Sequence, residues 1–290
     1  MMDKTEQLAA DLRADTSISR QLDLMAGAYS GASCVVLTCG PSLADHEPTR
    51  LRPLLEGRLV IAVKQAVEVA GPAADFLCFN AYNASRYTVD TDSTIRIFNR
   101  DPSGNMKHLN DFDIELHQRP HSADLADSLA CTHEYEQSLL AVDPTRPWGP
   151  GILHEVVFPL VVHLGVSDVT TIGWDIANAK GNNVHYYDRQ DDFFDRGRAD
   201  AHKLTGIRGR LPQPVKRALR GVRSSVQHRR GRVYNRTTML PGEAELVAGS
   251  LPSLNEWLAG HGVELSVVSD SPLFSADVRR LSPEDFYATG

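Results

Sequence analysis

Cysteine is scarce: four residues in 290, Cys34, Cys39, Cys78 and Cys131, with no CxxC pair. That excludes a disulfide scaffold and a thiolate zinc site, and leaves small buried hydrophobes in a reducing compartment as the expectation. A long apolar run is also missing. The longest, residues 152–164, contains His154, Glu155, Pro159 and His163 and is too short to span a bilayer. The first sixteen residues carry Asp3, Lys4, Glu6, Asp11, Arg13 and Asp15, so they lack the apolar centre of a signal peptide. A cytoplasmic chain is expected, with peripheral attachment at the inner face of a membrane as its one route to lipid.

Acidic residues are absent from one stretch. Between Lys203 and Arg236 there are eleven Lys and Arg and no Asp or Glu, so the rest of the chain carries about −18 against a net charge of −7. Within it Val215, Leu219, Val222 and Val226 recur as a narrow helical stripe flanked by cations. Such a helix suits an anionic membrane surface, or docks on the protein's own acidic body. No aromatic residue interrupts the basic run before Tyr234, which argues against a nucleic-acid stacking platform. Residues 201–236 are therefore expected to form a basic helical insertion, or lid, in a domain made of residues 1–200 and 237–290.

What is present is alternation. Apolar strand-like runs at residues 33–39, 58–63, 76–79, 94–98, 168–172 and 264–269 are separated by helix-compatible stretches at 49–55, 64–70, 151–164 and 243–259, after an opening helix over 5–26. Residues 101–147, rich in His, Pro and polar side chains, read as loops and short helices. The pattern predicts an α/β fold of Rossmann-like architecture, a mostly parallel sheet with helices on both faces. In such sheets ligands sit beyond the carboxyl ends of the strands.

Unusual residues stand at those ends. Cys39-Gly40-Pro41-Ser42 follows the first strand, where Gly40 permits a close backbone approach and Pro41 and Ser42 suit the start of a helix. Lys64-Gln65 follows the second strand and Asn80 the third. Gly173-Trp174-Asp175 follows the strand at 168–172, with His185-Tyr186-Tyr187-Asp188 a short way on. A His near neutral pKa suits a general base, and phenol hydroxyls suit an anion. Asp191, Asp192 and Asp195 read as a solvated face, not as metal ligands.

In this order the motifs resemble the bacterial sialyltransferases of glycosyltransferase family 42 and the related motility-associated-factor flagellin glycosyltransferases, over residues 34–274. The resemblance implies a CMP-activated nonulosonic (sialic-acid-like) sugar as donor, a glycan or lipid-linked acceptor, and inverting transfer without a metal or other cofactor. His185 is then the general base and Tyr186 or Tyr187 the donor to the leaving phosphate. The nucleotide is expected against Cys39, Gly40, Pro41, Ser42, Lys64, Gln65, Asn80, Gly149, Gly151, Gly173 and Asp175. Three positions depart from the family pattern: Cys39 and Lys64 stand where Asn is usual, and Ala177 where a Tyr is usual. Two alternatives stay open. One is pyrophosphoryl transfer from ATP, as in the archaeal 6-hydroxymethylpterin diphosphokinases; the other is a nucleotide-binding module without catalysis.

Overall fold

Ser33–Leu37 (β1) and Leu59–Val63 (β2) are apolar on every residue but one, as strands covered on both faces must be. They lie side by side at the centre of a parallel sheet. The structure, a computed structural model, describes residues 4–80, 93–100, 112–118, 145–146, 151–175, 243–269, 274 and 277–288. Among these, β3 (Phe76–Asn80), β4 (Ile95–Arg100), β5 (Ile114–Gln118) and the two-residue β6 (Thr145–Arg146) extend the sheet on the β2 side. On the other side, β7 (Asp168–Ile172), β8 (Glu264–Val268) and β9 (Arg279–Leu281) follow β1. The order is β6-β5-β4-β3-β2-β1-β7-β8-β9, with every pairing parallel. This is a Rossmann-like α/β fold.

Side chains alternate across β1: Cys34 and Val36 enter one apolar cluster, Val35 and Leu37 the other. The first cluster is covered by α1 (Lys4–Ala14), α2 (Ile18–Met25), α5 (Phe158–Leu164) and α6 (Glu243–Gly260). The second is covered by α3 (Pro48–Leu55), α4 (Val67–Ala70) and α7 (Pro283–Ala288). Both faces are closed.

Three sequence expectations are corrected in detail. The single helix expected over residues 5–26 is broken between α1 and α2. Asp15 accepts the Ser17 N–H at 2.8 Å, and the Gln21 amide reaches the Leu12 and Asp15 carbonyls, each at 2.9 Å. The buried helix over 151–164, expected to be interrupted near Pro159, instead runs on through a change of type, from a π-helical turn, Leu153–Val157, to α-helix at Phe158. Pro159 stands just after this change, and having no N–H it makes no hydrogen bond back to the π-helical turn. Finally, residues 101–147 hold strands β5 and β6 instead of only loops and short helices. Ile114 and Leu116 are buried while Asp113, just before them, is clamped by the Arg96 backbone N–H at 2.7 Å and the Arg13 guanidinium at 2.9 Å. The alternation is two apolar residues long, too brief to read without its partner strand.

Cys34, Cys39 and Cys78 are buried free thiols. Among the described residues no helix is long and apolar enough to cross a membrane. Cys131 and the basic segment 203–236 lie outside the described residues.

Candidate active site at the strand-order reversal

After β1 the chain builds the sheet in one direction as far as β6, then returns to lay β7 against the other edge of β1. This places the ends of β1 and β7 at the strand-order reversal, the position beyond which such sheets bind ligands. The loops leaving both ends carry motifs singled out above. Thr38 donates its N–H to the Ile172 carbonyl at 2.9 Å, and Gly40 donates to the Gly173 carbonyl at 2.8 Å, so the two chains stay paired past the end of the sheet. A Cβ on Gly40 would run into that Gly173 carbonyl and the Asp175 carboxylate. Gly173 has φ +76°, and a Cβ there would come within 2.7 Å of the Thr38 carbonyl oxygen. Both glycines answer to the protein's own close packing.

The short 3-10 turn Pro41–Asp45 begins here. Its first free donor, the Ser42 N–H, is taken by Asp175 Oδ2 at 2.6 Å, and Asp175 Oδ1 accepts the Ser269 hydroxyl at 3.1 Å. Asp175 thus ties the ends of β1, β7 and β8 together. The Ser42 hydroxyl oxygen is shielded from solvent and meets no hydrogen-bond partner among the described residues. Trp174 turns the opposite way, into a buried aromatic group with His154, Phe158 and Phe274, ring centroids 5.4–5.9 Å apart.

The end of β2 reaches the same place. The Cys39 thiol donates to the Val63 carbonyl at 3.1 Å and lies 3.7 Å from Gln65 Oε1. Burial pushes the Cys39 pKa up to about 11, although Lys64 and backbone N–H groups of Ala66 and Gln65 pull it down. At neutral pH it is a thiol, not a nucleophile. Lys64 has φ +53°, a left-handed backbone uncommon for a long side chain. Burial pulls its ammonium below the usual range, while Cys39 and Glu155 favour the charged form. Asn80, the last residue of β3, is paired in register with Asn99 of β4. The Gly151 carbonyl, at φ +142°, accepts the N–H groups of His154 and Glu155 at the start of the π-helical turn.

Of the residues expected at the site, Cys39, Gly40, Pro41, Ser42, Lys64, Gln65, Gly173 and Asp175 come together, with Gly151 leading into the helix that supplies Glu155. Gly149, His185, Tyr186 and Tyr187 lie outside the described residues. Sequence reasoning passed over Asn99 and Glu155, and it saw Ser269 only as the start of the Ser-Asp-Ser-Pro-Leu end of the last strand. Glu155 is only 4% exposed and receives Asn99 Nδ2 at 3.0 Å. Its signal was plain: a carboxylate in the most apolar run of the chain. Among the described residues no group of three or more His, Cys, Asp or Glu is placed to hold a metal ion. No family model, curated protein or solved structure matches the chain.

Proposed function

We propose that this chain is a glycosyltransferase that takes a CMP-activated sialic-acid-like sugar and transfers it, with inversion, to a glycan or lipid-linked acceptor. The observation that carries the reading is the Gly40 N–H bonded to the Gly173 carbonyl at 2.8 Å at the point of strand-order reversal. It brings side by side two of the motifs, far apart in sequence, in the ordered set on which the family resemblance rests. Transfer passes through an oxocarbenium-like state, so the site has to remove a proton from the acceptor hydroxyl and hold charge growing on the leaving phosphate. His185 takes the proton, and Tyr186 or Tyr187 donates to the leaving phosphate. The basic segment 203–236 brings the enzyme to an anionic membrane at the cytoplasmic side.

Thermal shift against CMP, UDP, GDP, ATP and their sugar conjugates tests the donor, because a ligand that binds only the folded chain raises its melting temperature. CMP compounds should stabilise, and His185→Ala should lower turnover by about 10²- to 10⁴-fold with donor affinity kept. Strong stabilisation by purine nucleotides with none by CMP overturns the reading. Lys64 beside the β1 turn favours one second reading, pyrophosphoryl transfer from ATP, since a cation there suits a diphosphate. That reaction requires Mg²⁺, so loss of activity in EDTA separates it from metal-independent glycosyl transfer.

A further inference from the structure

Asn99 stands on β4 just before its last residue and is fully buried. Its Nδ2 donates to Glu155 Oε2 at 3.0 Å, the one orientation of the amide that attracts a carboxylate. This leaves Oδ1 buried and without a hydrogen-bond donor among the described residues. A buried amide oxygen left this way is costly, and the cost is recovered when something donates to it. Glu155 reaches β4 from the π-helical turn, an irregularity frequent at functional sites. Lys64, in its left-handed conformation at the end of β2, completes the group by interacting electrostatically with Glu155.

The occupant follows from the chemistry. Glu155 and Lys64 offset each other's charge, so a phosphate gains little here. Asn99 Oδ1 and the carboxylate accept, while the ammonium donates. A sugar hydroxyl both donates and accepts, and two adjacent hydroxyls match such a mixed set. We infer that Asn99, Glu155 and Lys64 form a subsite, beyond the carboxyl ends of β2 and β4, for a vicinal pair of sugar hydroxyls. The subsite rests on the nucleotide-sugar reading above and adds which part of the ligand the β2–β4 side holds. The pair belongs either to the ribose of the nucleotide or to the transferred sugar.

The test is calorimetric titration of the full chain and of Asn99→Ala, Glu155→Gln and Lys64→Met with CMP, 2′-deoxy-CMP, CMP-sialic acid and free sialic acid, after an unliganded melting curve for each. If the subsite holds ribose, wild type binds CMP about 10- to 100-fold more tightly than 2′-deoxy-CMP, and the folded variants lose that preference. If it holds the transferred sugar, the two nucleotides bind alike, and the variants weaken CMP-sialic acid by a similar factor while sparing CMP. Glu155→Gln keeps the shape of the side chain, and Lys64→Met carries the comparison should either buried variant not fold. Variants that bind every compound as wild type does overturn the subsite and leave the donor reading intact. Free sialic acid binding in wild type, weakened in the variants, while no nucleotide binds, keeps the subsite and overturns the donor. No binding by any compound overturns both.

Discussion

The carboxylate of Asp175, just past β7, accepts the backbone N–H of Ser42, just past β1, at 2.6 Å. The residues are 133 positions apart and meet only because β7 returns to the free edge of β1. The contact occupies the amide that a phosphate would otherwise find at the start of the 3-10 turn. Anion binding at this turn therefore does not fall to the Ser42 N–H; the Ser42 hydroxyl, which meets no partner among the described residues, is the polar group left for it.

Removing that contact should loosen three loops at once. Asp175→Ala leaves the Ser42 N–H and the Ser269 hydroxyl without their acceptor, at an expected cost of about 1–3 kcal/mol. Asp175→Asn keeps one acceptor oxygen and should lose less, and Ser269→Ala about 0.5–1.5 kcal/mol. Urea unfolding of the three variants checks the ranking. Equal stability for Asp175→Ala and wild type means the tie contributes nothing.

Gly40→Ala should be destabilising by about 1–3 kcal/mol or more, because its Cβ meets backbone that cannot step aside. With φ −67° at Gly40, the loss comes from contact alone and not from the dihedral. Gly249→Ala is the control: it lies in α6 with nothing near its Cβ, and alanine should leave stability unchanged or raise it by about 0.5–1 kcal/mol. Melting curves of both variants, read beside wild type, make the comparison. Failed nucleotide binding by Gly40→Ala then reports a damaged fold, whatever the ligand.

The sheet was legible wherever strands are buried on both faces. Leu59–Val63 and Asp168–Ile172 show up as apolar or β-branched runs between turn residues. β5 was not, since only Ile114 and Leu116 mark it and its partners are long-range. The site was half legible. Gly40 and Asp175 stand at strand ends, where position alone suggests a role. Glu155 is marked in the sequence as a carboxylate in an apolar run, but Asn99 is not, and only their pairing, 56 residues apart, gives the two a joint role.

His154 makes stability fall in mild acid. Burial among Phe158 and Trp174 lowers its pKa from 6.5 to about 4. Above pH 6.5 neither the folded nor the unfolded chain holds a proton there. Between about 6.5 and 4 only the unfolded chain takes one up, so stability declines with falling pH by at most about 1.4 kcal/mol per unit. His46, lowered in the same direction by burial, adds to the decline. Urea midpoints at pH 7.5, 6 and 5 should drop for wild type, and less steeply for His154→Phe, which keeps a ring against Trp174. Parallel profiles for the two proteins would show that folding does not lower the His154 pKa.

The basic segment 203–236 has two readings, a membrane-binding one and a docked one, and they make opposite predictions. The stripe of Val215, Leu219, Val222 and Val226 is narrow, so its apolar contribution at a lipid surface is a few kcal/mol at most, on the order of 25 cal/mol per Å² buried. Flanking charge should dominate, at about 1 kcal/mol for each Lys or Arg near an anionic headgroup layer. Binding to phosphatidylserine-containing vesicles is therefore expected at low salt and should fade as ionic strength shortens the range of the attraction, while phosphatidylcholine vesicles bind poorly. Replacing Arg217, Arg220, Arg223, Arg229 and Arg230 together by Gln should abolish vesicle binding and leave CMP binding unchanged. If the segment instead docks on the acidic remainder of the chain, wild type ignores vesicles at every salt concentration. The Gln variant then melts at a lower temperature, having lost its pairing with about −18 of charge. Co-sedimentation with vesicles, beside a melting curve for each protein, separates the two readings.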